Sequence, residues 1–233
     1  MKKTKKAFTL IELLVVITII GILVTLVVVN MGSAIDKTQI TKVTKALDAY
    51  YTALKQKSKP IPSATKLSEK SPAGYAAWAW DELNYQEVGF WLISVASDVE
   101  DLQDDDASGL PEFIGDGDGD VDTDLQADQK KAISWEMAIP QQGASGNLVT
   151  VEKKMKGRFP IMWTKGLQSD GTWEGDSPWG GAGGHILWSD GWKGFYENTK
   201  GEGGSGIFMD DQGNPTKDIN KAIPDYWEII KPE

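Results

Sequence analysis

Glu12 is a carboxylate inside a hydrocarbon run. It follows Ala7-Phe8-Thr9-Leu10-Ile11 and precedes Leu13 to Val29, where Thr18, Gly21 and Thr25 are the sole interruptions of apolar side chains. A carboxylate in a bilayer costs about 2.5–3.5 kcal/mol on insertion scales, so such a residue is by default functional and needs a partner. A second set of acids lies in Gly115-Asp116-Gly117-Asp118-Gly119-Asp120-Val121-Asp122-Thr123-Asp124. Its alternating Asp116, Asp118, Asp120, Asp122 and Asp124 are the donors that calcium takes, with glycine permitting a tight turn. A third set, His185, Ser189 and Asp190, has the residue types of an acyl-transfer triad. All three fall in one hairpin signal, where strand alternation does not converge them. The chain has one histidine and no cysteine, and it lacks a Gly-x-Ser-x-Gly elbow or a phosphate-cradling loop. Gly201-Glu202-Gly203-Gly204-Ser205-Gly206 reads as a loop, so no catalytic residue is assigned.

The aspartate run fits an EF-hand loop in part. With Gly119 as the turn glycine and Val121 as the apolar position, Asp116, Asp118, Asp120 and Asp122 occupy ligand positions, but Ile114 and Leu125 fall at the first and twelfth. Starting at Asp116 instead puts Val121 where glycine belongs and Ala127 last. The expectation is weak calcium binding, of the extracellular class near 10⁻⁴–10⁻³ M. An unliganded, solvated acidic loop is the competing reading.

The element that must position Glu12 is a helix. With Phe8–Ile11 the apolar run exceeds the roughly 20 residues that span a bilayer, and Lys2, Lys3, Lys5 and Lys6 precede it. A secretory signal would have a shorter core and a small-residue cleavage site after it. A plain anchor, held with its lysines inside, explains the length and the charge but not Glu12.

Lys5-Lys6-Ala7-Phe8-Thr9-Leu10-Ile11-Glu12-Leu13-Leu14-Val15-Val16-Ile17 resembles the N-terminal signature of type IV pilins and of type II secretion pseudopilins. The resemblance implies that a prepilin peptidase cuts between Ala7 and Phe8 and that Phe8 is N-methylated. It also implies that Glu12, fifth from the cut, pairs with the freed amine of a neighbouring subunit during assembly. Such a pair matters where both charges are buried together. Ala7 stands where the family usually has Gly. Leu26-Val27-Val28-Val29-Asn30-Met31-Gly32, Lys42, Ala46-Leu47, Tyr50-Tyr51 and the Pro60–Pro62 exit are similar to the major pseudopilin, a calcium-binding family.

Those residues imply three segments: a leader 1–7, an assembly helix 8–58 and a head 59–233. Ile40, Val43, Leu47, Tyr50 and Leu54 recur every three or four residues, the stripe of an amphipathic helix, with Lys42, Lys45, Asp48 and Lys55 off it. The helix is predicted to run to about Lys57, before Pro60 and Pro62 forbid it, as a rod of roughly 75 Å. Asn30 and Gly32 mark a place for bending.

The head carries all ten tryptophans, and no disulfide staples it. Residues 98–128 hold thirteen acids and no basic residue. Ala73–Ser97 reads equally as short helices or strands, with Trp78 and Trp80 able to share a strand face. Arg158–Thr164 and Ser169–Trp173 read as strands, and His185–Trp188, Ser189-Asp190-Gly191 and Trp192–Tyr196 as a hairpin, within a β-rich part 155–200. Gly183-Gly184-His185-Ile186-Leu187-Trp188-Ser189-Asp190-Gly191 loosely resembles the C-terminal H…DG hairpin of prepilin-like proteins from planctomycete- and verrucomicrobium-type bacteria. Most of the tryptophans are expected in the core, where large aromatics supply buried area; exposure of Trp173 and Trp179, which flank a glycine-rich loop, as a sugar-binding platform is the competing reading.

The predicted fold is therefore α+β: a long N-terminal helix, membrane-spanning below and amphipathic above, packed on a head with a C-terminal antiparallel sheet. The net charge is −10, or −14 without the leader's four lysines, which argues against nucleic acid. The resemblance implies a structural subunit of a type II secretion pseudopilus or related filament. It would polymerise with itself and other pilin-like subunits on an inner-membrane platform, with its head in the periplasm. An adhesive or motility pilus subunit and a membrane-anchored, calcium-dependent binding module are the alternatives.

Overall fold

The computed structural model describes residue 18, residues 37–102 and residues 109–232. The chain divides into two units, residues 1–42 and 43–233. In the first, residues 37–42 are helical, and Thr41 Oγ1 donates to the Lys37 carbonyl at 2.9 Å, an i−4 back-bond common for threonine in helices. Ile40, the first position of the predicted stripe, belongs to this unit.

The second unit is α+β. Its first helix, α1 (residues 37–56, of which 43–56 fall in this unit), buries Val43, Leu47, Tyr50 and Leu54 and leaves Lys45, Asp48 and Lys55 exposed. That is the predicted stripe, a single apolar face on a 3.6-residue repeat. Ser58 takes φ +49°, and Pro60 and Pro62 follow.

Residues 73–97 are helical where they are regular. α2 (Pro72–Glu82) starts at Ser71, whose hydroxyl accepts from Gly74 N at 3.1 Å, with Pro72 at the first helical position as N-terminal chemistry favours. Pro72 to Trp80 are all buried, the mark of a helix enclosed on every side. Trp78 and Trp80 therefore lie on a helix, not on a strand face, and burial all round explains why their spacing carried no helical signal. α3 (Val88–Trp91), α4 (Ser97–Asp101) and α5 (Ala127–Lys131) are short.

Five antiparallel strands form the sheet in the order β4-β3-β2-β1-β7. β1 (Trp135–Pro140), β2 (Pro160–Thr164) and β3 (Gly184–Trp188) are buried throughout, while β4 (Lys193–Tyr196) is half-buried at an edge. α6 (Leu148–Met155) connects β1 to β2, and the C-terminal β7 (Trp227–Ile230) pairs with β1 through Met137↔Ile230 to Pro140↔Trp227. β5 (Phe208–Met209) and β6 (Pro215–Thr216) make a small separate hairpin. The predicted β3–β4 hairpin is present, with His185↔Phe195 and Leu187↔Lys193 in register. Ser169–Trp173 is a tight turn rather than a strand: the Asp170 carboxylate accepts from Thr172 N at 2.9 Å, and a single bridge joins Leu167 to Trp173. Aspartate capturing the amide two residues on is turn chemistry.

An aromatic column ties α1 to the sheet. Tyr50 stacks on Phe90 at 5.5 Å, and Phe90 on Trp135 at 4.9 Å. Such pairs add about 0.5–1.5 kcal/mol beyond their buried area. Elsewhere on α1, Tyr51 donates to the Ser189 carbonyl at 3.0 Å. Gly191, at φ +89°, turns the hairpin there, and a Cβ would stand 2.2 Å from the Tyr51 ring, so both conformation and space require glycine.

Candidate functional site

Ala7, Phe8 and Glu12, the expected processing and assembly residues, lie outside the described residues, as does the apolar run around them apart from Thr18. Among the described residues no helix is long and apolar enough to cross a membrane. The structure thus bears on how the head is built around α1 and on what its loops and surface aromatics do.

The acidic loop closes on itself. Gly115 bridges to Val121, Asp122 N donates to the Ile114 carbonyl at 2.9 Å, and Asp116 N donates to the Asp120 carbonyl at 3.2 Å. Asp116 Oδ1 accepts from Asp118 N at 2.9 Å and from Asp120 N at 3.3 Å. Asp122 Oδ1 accepts from Asp124 N at 2.8 Å. Ile114 and Leu125 are buried, anchoring the two ends. Asp116, Asp118, Asp120 and Asp124 are exposed and Asp122 is half-buried. Among the described residues no three carboxylate or imidazole side chains gather as a metal ion would require. Asp116 and Asp122 instead each turn one oxygen onto the loop's own amides.

Asp81, which sequence reasoning passed over, docks this loop on α2. Its Oδ2 accepts from Gly119 N at 2.8 Å. Burial raises its pKa, as do the nearby charges of Asp116 and Asp118, while the Gly119 amide opposes them. An acid in the last turn of a helix opposes the helix dipole, and that was the signal available once α2 was known.

His185 serves packing. It is fully buried, its Nε2 lies 3.1 Å from Thr44 Oγ1 of α1, and the Trp179 and Phe195 rings flank it at 4.7 and 5.4 Å. Ser189 Oγ accepts from Phe159 N at 3.2 Å. Asp190 accepts from Trp192 N at 2.9 Å and faces Arg158 at 3.7 Å. The three triad residue types therefore have separate partners.

The surface aromatic is not where the sequence placed it. Trp173 is 5% exposed and Trp179 is half-buried over His185, because the glycine-rich loop folds inward. Trp192 is 58% exposed, its Nε1 fixed on the Tyr196 hydroxyl at 3.2 Å. The Arg158 guanidinium lies 4.6 Å from the Trp188 ring and 5.7 Å from the Trp192 ring.

Glu136, also missed, is the buried charge of the sheet. It accepts from Trp163 Nε1 at 3.0 Å and from Gly166 N at 3.2 Å, and Lys231 Nζ stands 3.3 Å away. A carboxylate so placed survives burial because donors and a cation surround it. β1 reads as an apolar run, and nothing in its pattern marked Glu136 as an inward residue.

Residues 2–28 match the prokaryotic N-terminal methylation motif, the signature of type IV pilins and pseudopilins. Neither a curated protein nor a solved structure matches the chain.

Proposed function

From a chain that opens with the type IV pilin-like signature, we propose a filament subunit of a type II secretion pseudopilus. Prepilin peptidase releases residues 1–7, Phe8 becomes the methylated N-terminus, and the apolar run holds the subunit in the inner membrane until assembly. Glu12 then meets the amine of Phe8 on a neighbouring subunit, each charge finding in the other the partner that hydrocarbon denies it. The carrying observation is the methylation motif over residues 2–28, which contains Ala7, Phe8 and Glu12. The burial of Val43, Leu47, Tyr50 and Leu54 is consistent with it, since it gives the head a helix of its own at the end from which the N-terminal segment leads.

An adhesive pilus subunit is the second reading, favoured by the exposed Trp192 beside Arg158. In either filament, Glu12→Ala is expected to leave processing intact and abolish polymer. The assay is recovery of sheared or extracted filaments from cells bearing the secretion machinery. Filaments at wild-type yield from Glu12→Ala would leave a membrane anchor and remove the assembly role.

A further inference from the structure

We infer that neighbouring heads join through two grooves of opposite charge on each subunit, an inference that rests on the filament reading above. The first groove, of about 330 Å³, lies along the acidic loop: Leu110, Phe113 and Leu125 give it apolar surface, and Glu112, Asp122 and Asp124 rim it. Leu110 and Phe113 are 50% and 49% exposed, unusual for large apolar side chains lying close together. Among the described residues none of Glu112, Asp122 and Asp124 has a cationic partner. The second groove, of about 190 Å³, lies where α1 ends and α6 begins. Leu54, Leu148 and Val149 line it, with Lys55 and Lys59 at its rim. Val149 is 51% exposed. Lys55 rests over the Tyr51 ring at 5.4 Å without an acidic partner among the described residues, while Lys59 is paired with Glu82.

The two grooves are complementary in charge: the first has an acidic rim beside exposed Leu110 and Phe113, and the second has Lys55 beside exposed Val149, with Leu54 and Leu148 buried beneath. The complementary occupant is therefore a second copy of this chain. The two patches differ, so the contact is heterologous, and a heterologous contact that does not close into a ring propagates as an open polymer. The handful of residues lining each groove falls well below the roughly 20–30 residues a side of a stable isolated interface. The contact works where polymerised N-terminal helices already hold the heads at high effective concentration.

The chain has no cysteine, which makes the test clean. Phe113→Cys and Val149→Cys are introduced together, filaments are oxidised, and the products are resolved without reductant. Both positions are half-exposed, so the head should fold normally. A ladder of trimers and higher species is expected from the double variant, and no species beyond a dimer from either single variant. Asp124→Lys should reduce the ladder at least several-fold, and Lys55→Glu in the same chain should restore it. Intact filaments whose double variant stays monomeric would overturn the contact while sparing the filament reading. Dimers from Phe113→Cys alone as abundant as the double variant's products would show a two-fold contact and overturn it too. Absence of filaments from wild type as well would remove the filament reading and this inference with it.

Discussion

Tyr50 and Tyr75 place two hydroxyls 2.6 Å apart where the side chains are 0% and 2% exposed. Burial pushes both phenols above their ordinary pKa, so the pair stays neutral, and among the described residues neither hydroxyl has another partner. Tyr50→Phe keeps the ring that packs on Tyr85, Phe90 and Trp91 and strands the Tyr75 hydroxyl in an apolar core. An orphaned buried hydroxyl costs about 1–3 kcal/mol, whereas removing both partners is nearly neutral. Each single Phe variant should therefore lose about 1–3 kcal/mol, and the double variant should lie within about 1 kcal/mol of wild type. In a domain of this size each kcal/mol lowers the melting midpoint by about 2–4 °C. Tryptophan fluorescence of the full chain in detergent reports the head alone, since all ten tryptophans lie there. A double variant whose loss equals the sum of the two singles would refute the reasoning, because uncoupled residues add.

Two further outcomes follow from the loops. Burial raises the Glu69 pKa, but hydrogen bonds from Lys130 at 2.8 Å and from Ser71 outweigh it and hold the carboxyl below its ordinary 4.5. A depressed acid stabilises the fold above its unfolded pKa, and that contribution fades as pH falls from about 4.5 through the folded value. Glu69→Gln should be modestly less stable than wild type at pH 7, by under about 1 kcal/mol as for exposed pairs, and the gap should narrow below pH 4.5. Thermal melts between pH 3 and 7 check this, and a gap that widens with acid would contradict it. Calcium tests the aspartate loop. A site with a dissociation constant near 10⁻³ M would gain about 1.4 kcal/mol at 10 mM calcium, a midpoint rise of about 3–6 °C. Weak calcium binding by the aspartate loop predicts that rise, reversed by chelator, since Asp116 and Asp122 each commit only one oxygen to backbone amides. A rise under a degree would contradict it and leave a solvated acidic loop.

Local signals were readable wherever one face of an element met solvent. The stripe Val43, Leu47, Tyr50 and Leu54 kept its period because α1 has a wet side. The β3–β4 hairpin announced itself through Asp190-Gly191, where Gly191 supplies the positive φ of the turn. α2 and β1 were illegible for the opposite reason, since both are enclosed all round and enclosure erases periodicity. β7 escaped notice because its partner, β1, lies about ninety residues away in sequence. The inward fold of the loop that buries Trp173, and the outward turn of Trp192, are tertiary outcomes with no local code. The N-terminal signature was legible because it is one contiguous run of residue types, and residues 2–28 match the methylation motif.

The most direct test of the filament account is the mature N-terminus. The full chain, produced in cells together with a prepilin peptidase, is purified from membranes and its N-terminal peptide is measured by mass spectrometry. The account predicts a chain that begins at Phe8 and carries a methyl group on its amine. A chain that still begins at Met1, or one cut beyond Glu12, would contradict it.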